Sequence, residues 1–200
     1  VDMIFMIPLT ITPIKESYHV GDTLILEANF PDTLKEYYSG RYYKVQNLNF
    51  RSVVNTLELV SNSLYLSQVP GNSYKFTVLS EIGSLEIFGP LGGVLQFNYE
   101  NERYRLKIKI VPKAESITCL SFTTFIFINR VRIDHIIDLG KTADGRKRIP
   151  ILTGIYQIVN DGDNNFNLLQ LNAKLSMDSV PFHGNIYTEK FGTFTFRVIE

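Results

Sequence analysis

Tyr18-His19-Val20-Gly21-Asp22-Thr23-Leu24-Ile25-Leu26-Glu27-Ala28 is the stretch on which the fold turns. Gly21-Asp22 signals a turn, because glycine tolerates positive φ and a short aspartate carboxylate can bond nearby backbone amides. The residues after it alternate. Leu24, Leu26 and Ala28 fall on one face and Thr23, Ile25 and Glu27 on the other, the period of a half-buried strand. Upstream, the run from Ile4 to Pro13 is also rich in β-formers, so the two segments can pair across residues 14–20.

The same period recurs through most of the chain. Leu95, Phe97 and Tyr99 form one apolar phase, Asn101-Glu102 marks a turn, and Tyr104, Leu106, Ile108 and Ile110 answer against Arg103, Arg105, Lys107 and Lys109. That is a hairpin with one face in the core and one in water. Further strands are expected at residues 42–50, 52–60, 64–69, 74–79, 85–88, 117–128, 130–138 (Val131, Ile133, His135 and Ile137 in phase), 149–159 and 192–199. The last of these points Phe194, Phe196 and Val198 inward. Two helical pieces interrupt the pattern. Asp32 can cap one or two turns ending near Gly40, and Asn165 can cap a helix over residues 166–177, where Phe166, Leu169 and Ala173 lie beside Leu168, Leu171 and Leu175. A single domain over residues 1–200 is expected, with a break at residues 112–116 as the one candidate subdivision.

Composition narrows the function classes. Lysine plus arginine equals aspartate plus glutamate at 20 each, so no overall field draws in nucleic acid or an anionic membrane. The longest apolar run, Met3 to Leu9, is far short of a membrane-spanning helix, and a soluble domain is expected. The opening Val1-Asp2, without methionine, suggests a processed or trimmed chain, from which any targeting segment would already have been removed. Cys119 is the only cysteine, so no internal disulfide can form. The absence of any Asn-x-Ser/Thr site disfavours a eukaryotic secreted glycoprotein.

Candidate chemistry is sparse. His19, His135 and His183 are the only imidazoles, and none stands in a nucleophile-elbow or similar signature. Cys119 sits in an apolar strand where a thiolate is disfavoured. No glycine-rich phosphate loop opens a helix, and no cofactor is implied. Asp161, Asp163 and Asn165 place oxygen ligands at alternate positions, as a calcium loop would. Phe166 stands where that loop needs glycine and Asn172 where it needs glutamate, so a turn and helix cap is the preferred reading. Lys141, Arg146, Lys147 and Arg148 read as a solvated loop, with anion binding as the alternative. Tyr37, Tyr38, Tyr42 and Tyr43, with Arg41 among them, are the densest aromatic group in a loop region and the candidate ligand-binding set. Rings with a polar tip suit sugar stacking or protein contact, while packing of at least two of them into a sheet edge is the structural alternative.

Four stretches, "ITPIKESYHVGDTLILEANF", "SITCLSF", "DGDNNFNLL" and "GTFTFRV", together resemble the uncharacterised extracytoplasmic lipoproteins of Bacteroidetes-type bacteria that carry immunoglobulin-like sandwiches. The resemblance implies a mainly β, immunoglobulin-like antiparallel β-sandwich with one short helix toward the C-terminus. It also implies export to the cell envelope, and attachment to a membrane only through a removed N-terminal lipid anchor. A non-catalytic binding or structural module is therefore expected, meeting a glycan or a protein at the cell surface and no nucleic acid. The alternatives are a glycan-active hydrolase on the same scaffold and an assembly subunit that uses an exposed edge strand.

Overall fold

The computed structural model describes residues 1–59, 70–124, 131–172 and 190–200, and in it the chain is a mainly β structure of two facing sheets. It opens with β1 (Asp2–Thr12), β2 (Ser17–His19) and β3 (Leu24–Pro31). β1 and β3 pair antiparallel at Thr10–Glu27, Ile11–Leu26 and Thr12–Ile25, as the two flanking runs require. The turn before β3 forms as its residues suggest. Gly21 has φ 90°, and the Asp22 carboxylate accepts a hydrogen bond from the His19 amide at 2.9 Å. Leu24, Leu26 and Ala28 are buried on one face.

The expected helix after Pro31 is absent. Residues 33–44 instead form a small hairpin of β4 (Thr33–Lys35) and β5 (Tyr42–Lys44). The reason is a period of two: Asp32, Leu34 and Glu36 are buried and Thr33 and Lys35 exposed. Asp32 does not cap a helix. Its carboxylate accepts the Tyr99 hydroxyl at 2.9 Å.

The chain continues through β6 (Arg51–Glu58), β7 (Phe76–Ile82), β8 (Ser84–Ile87), β9 (Gly92–Gln96), β10 (Asn98–Glu100), β11 (Arg103–Pro112), β12 (Ser116–Thr124), β13 (Val131–Arg132) and β14 (Ile151–Val159). It ends with the helix α1 (Phe166–Asn172) and β15 (Thr193–Ile199). One sheet has the order β10-β11-β3-β1-β14-β13, with β7 also on β11; the other runs β2-β15-β12-β6-β9-β8. A single apolar cluster fills the space between them. Phe5, Ile7, Leu26, Leu106 and Ile108 come from the first sheet, and Val54, Leu95, Leu120, Phe122, Phe194 and Phe196 from the second. The segment at residues 112–116 is one of the places where the chain leaves the first sheet for the second.

The β10–β11 hairpin has the expected register, Tyr99 opposite Tyr104, with positive φ at both turn residues (Asn101 51°, Glu102 59°) as a type I′ turn demands. Its first strand is shorter than expected, since Leu95 belongs to β9 in the other sheet. Most pairings are antiparallel. Two are not: β1 runs parallel to β14 from Asp2 to Leu9, and β2 runs parallel to β15. Each joins strands far apart in the chain, where no tight turn dictates direction.

Residues 131–138 also depart from expectation. β13 stops at Arg132, and the Ile137 amide donates to the Ile133 carbonyl at 2.8 Å, one helical turn. Ile133 and Ile137, four apart, are buried together, which leaves His135 exposed rather than in a strand's inward phase. Helix α1 starts where expected. However, the Asn165 side chain is not its cap but donates to the carbonyls of Lys15 and Thr195, both at 2.8 Å. Leu168 and Leu169 are buried, whereas Leu171 is 69% exposed, so the apolar face is narrower than the sequence implies. The expected strand at 64–69, the far ends of the 117–128 strand and the 166–177 helix, and His183 lie outside the described residues.

Candidate functional site

The β4–β5 hairpin is tied to β1 by its own backbone. The Tyr37 amide donates to the Ile4 carbonyl at 2.8 Å, and the Glu36 amide to the Arg41 carbonyl at 2.8 Å. The Glu36 carboxylate lies beneath the loop and accepts three backbone amides: Ser39 at 2.7 Å, Tyr38 at 3.1 Å and Ile4 at 3.2 Å. Burial pushes its pKa up, but these amides, Ser39 foremost, outweigh it and hold the carboxyl below the usual glutamate range. Glu36 is therefore an ionised brace that sets the loop's shape.

A pH prediction follows from that direction. A group whose folded pKa is depressed stabilises the fold fully above its unfolded pKa, and loses that contribution as pH falls through the folded value. Glu36→Gln is expected to lower stability at neutral pH by about 1–3 kcal/mol, since a carboxamide leaves amides unmet. It should also flatten the loss of Tm on acidification below the glutamate range. Thermal melts of both proteins from neutral to acid pH check this, and equal acid slopes would contradict it.

Above this brace lies a cleft of about 390 Å³. The hairpin supplies Tyr38, Ser39, Arg41 and Tyr43; residues 138–148 supply Asp138, Leu139 and Arg148; Asp2 and Met3 of β1 close one side. The loop that carries Arg148 is itself a tight return. The Thr142 amide donates to the Arg146 carbonyl at 2.8 Å, and the Arg148 amide to the Gly140 carbonyl at 2.9 Å.

The candidate tyrosines divide. Tyr38 is 66% exposed and lines the cleft together with Arg41 and the half-buried Tyr43. Tyr37 lies outside the cleft and packs edge-on against both Tyr156 and Tyr38, ring centroids 4.8 and 5.3 Å away. Tyr42 is also 66% exposed but lies outside the cleft. The basic loop divides too. Arg146 pairs with Asp144 and Lys147 lies 3.7 Å from Asp134, whereas Arg148 reaches the cleft. Ser39, Glu36, Asp138 and Leu139 do not stand out in the sequence. For Glu36 the one sequence signal is its place in the Asp32-Leu34-Glu36 alternation; the others join the tyrosines only through the fold.

The other candidates read as structure. Asn160, before the acidic loop, closes a two-way pair with Ile11, its Oδ1 accepting the amide at 2.8 Å and its Nδ2 donating to the carbonyl at 3.2 Å. Together with the Asn165 bonds, this makes residues 160–165 a clasp joining β14, β1 and β15. Among the described residues no group of three or more His, Cys, Asp or Glu side chains is placed to hold a metal ion. Cys119 is fully buried and His19 is exposed beside its turn.

A second surface opens between the edges of β7 and β8. It is a groove of about 710 Å³ lined by Tyr74, Phe76, Val78, Leu85, Ile87 and Pro90, with Phe88 and Leu91 exposed nearby. Within the described residues β7 pairs only with β11 and β8 only with β9.

No protein-family model matches the chain, and no curated protein sequence matches it significantly.

Proposed function

We propose that the chain is a non-catalytic binding module of the cell envelope, an immunoglobulin-like sandwich that holds a glycan in the cleft beside the β4–β5 hairpin. The observation that carries this reading is the convergence of Tyr38, Tyr43, Arg41 and Arg148 on one cavity of ligand size. Tyrosine faces accept the apolar C–H face of a sugar ring, and guanidinium forks suit its oxygens. The hairpin that presents them is braced from below, so the site is organised before a ligand arrives. The envelope location and a lipid anchor rest on the resemblance drawn from the sequence.

The chemistry of Glu36 favours binding over hydrolysis. A glycosidase needs one carboxyl kept protonated as general acid. Glu36 is held in the opposite state and faces the loop's own amides. An assembly role is the second reading, favoured by the groove between β7 and β8, whose lining carries no charged side chain.

A glycan array probed with the wild-type protein and with Tyr38→Ala tests the proposal. Selective binding is expected, reduced about tenfold or more by removing an exposed stacking ring, with Tm unchanged. The proposal is overturned if no glycan is retained, or if Tyr38→Ala binds as well as the wild type.

A further inference from the structure

We infer that the glycan this cleft takes is acidic, with a carboxylate-bearing sugar such as a uronic acid seated between Arg41 and Arg148. This rests on the binding reading above and specifies the chemistry of the same site. The donors and acceptors of the cleft differ in how far the protein uses them. The carboxylate acceptors in the cleft are partly engaged by the protein itself. Glu36 receives three backbone amides, Asp138 accepts the Gly140 amide at 2.8 Å, and Asp2 has an interaction of its own within the protein. The donors are not. Both Arg41 and Arg148 are exposed, and neither guanidinium is ion-paired with a carboxylate among the described residues, although three carboxylates line the same cleft.

Some surface cations elsewhere are paired, Lys107 and Lys109 with Glu81, Arg132 with Asp134 and Arg146 with Asp144, while Lys35, Arg51, Lys113 and Lys141 meet no carboxylate among the described residues but do not line this cleft. Two guanidiniums left with open forks on one cavity, next to tyrosine rings, match an acceptor-rich ligand. A carboxylate offers the planar, two-oxygen edge that a guanidinium grips with paired N–H donors. A neutral sugar would leave most of those donors to water.

The test is calorimetric titration of the intact protein with uronic-acid trimers (galacturonate and glucuronate) and with the uncharged galactose and glucose trimers of the same linkages. The wild type is expected to bind a uronate trimer about tenfold or more tighter than its neutral counterpart, the scale of a charge-assisted contact, and added salt should weaken only the acidic ligand. The double variant Arg41→Gln with Arg148→Gln should lose that preference while keeping the wild-type Tm. Equal affinity for acidic and neutral trimers, abolished in both by Tyr38→Ala, would overturn the acidic preference and leave the binding reading standing. No binding of any trimer overturns the inference, and an array on which no glycan is retained overturns the binding reading with it.

Discussion

Leu106→Asp is expected to unfold the protein. Leu106 lies in the middle of β11, only 1% exposed, opposite Ala28 of β3 and directed into the cluster that both sheets share. An aspartate there must either bury an unpaired carboxylate or rotate its strand out of register with its neighbours. The expected loss is about 5 kcal/mol or more, comparable with the whole stability of a domain this size. Its neighbour provides the control. Arg105 faces the other way, 4.0 Å from Glu100 at the surface, so Arg105→Asp should cost no more than about 1 kcal/mol. Circular dichroism and thermal melts distinguish the two. A wild-type Tm for Leu106→Asp would refute the inward phase of β11.

Gly83→Val is expected to be nearly as damaging, for a reason rooted in the backbone. Gly83 is the one residue between β7, in the first sheet, and β8, in the second, so it forms the corner where the chain passes from sheet to sheet. Its φ is +68°, a conformation that β-branched residues resist. A Cβ at this position would also sit 2.4 Å from the Gln96 carbonyl oxygen and 2.9 Å from Leu106 Cδ1. The first of these is backbone in a paired strand and cannot yield without breaking the β8–β9 pairing. A cost of about 3–5 kcal/mol is expected, strain and overlap together. Gly89 separates the two effects. It has a similar φ, +71°, but a Cβ added there would meet nothing within 4 Å, so Gly89→Ala should cost only about 1 kcal/mol of strain. Chemical denaturation of both variants checks the contrast; equal losses would mean that the corner tolerates a side chain.

These two positions also show what the sequence reveals and what it hides. The β10–β11 hairpin is legible because everything needed to specify it is local: turn residues that accept positive φ, and apolar and charged residues that alternate without a slip. β15 is legible for the same reason, with Phe194, Phe196 and Val198 all buried. Residues 31–40 mislead because Asp32 resembles a helix cap when its partner is unknown. That partner, Tyr99, is 67 residues away. His135 misleads because Val131, Ile133 and Ile137 fit a period of two as readily as Ile133 and Ile137 fit a single helical turn. The parallel pairs β1–β14 and β2–β15 carry no local signal, since no turn joins their strands.

The candidate site is half legible. Aromatic density singles out Tyr38, Tyr43 and Arg41, but Tyr37 lies in the turn and packs on Tyr156, and alternation along β5 leaves Tyr42 outside the cleft. Arg148 stands in a separate basic loop, and only the parallel β1–β14 pairing brings the approach to β14 alongside the hairpin held on β1. The cleft is thus a product of topology. Its lining residues come from segments distant in the chain, which one pairing sets side by side.

The most direct test of that convergence is a backbone amide NMR titration with a glycan retained on the array. The expected result is a single set of shifted amides in residues 36–43 and 138–148, abolished by Tyr38→Ala. Shifts confined to β7, β8 and the groove between them, with the hairpin and the Arg148 loop unmoved, would contradict it.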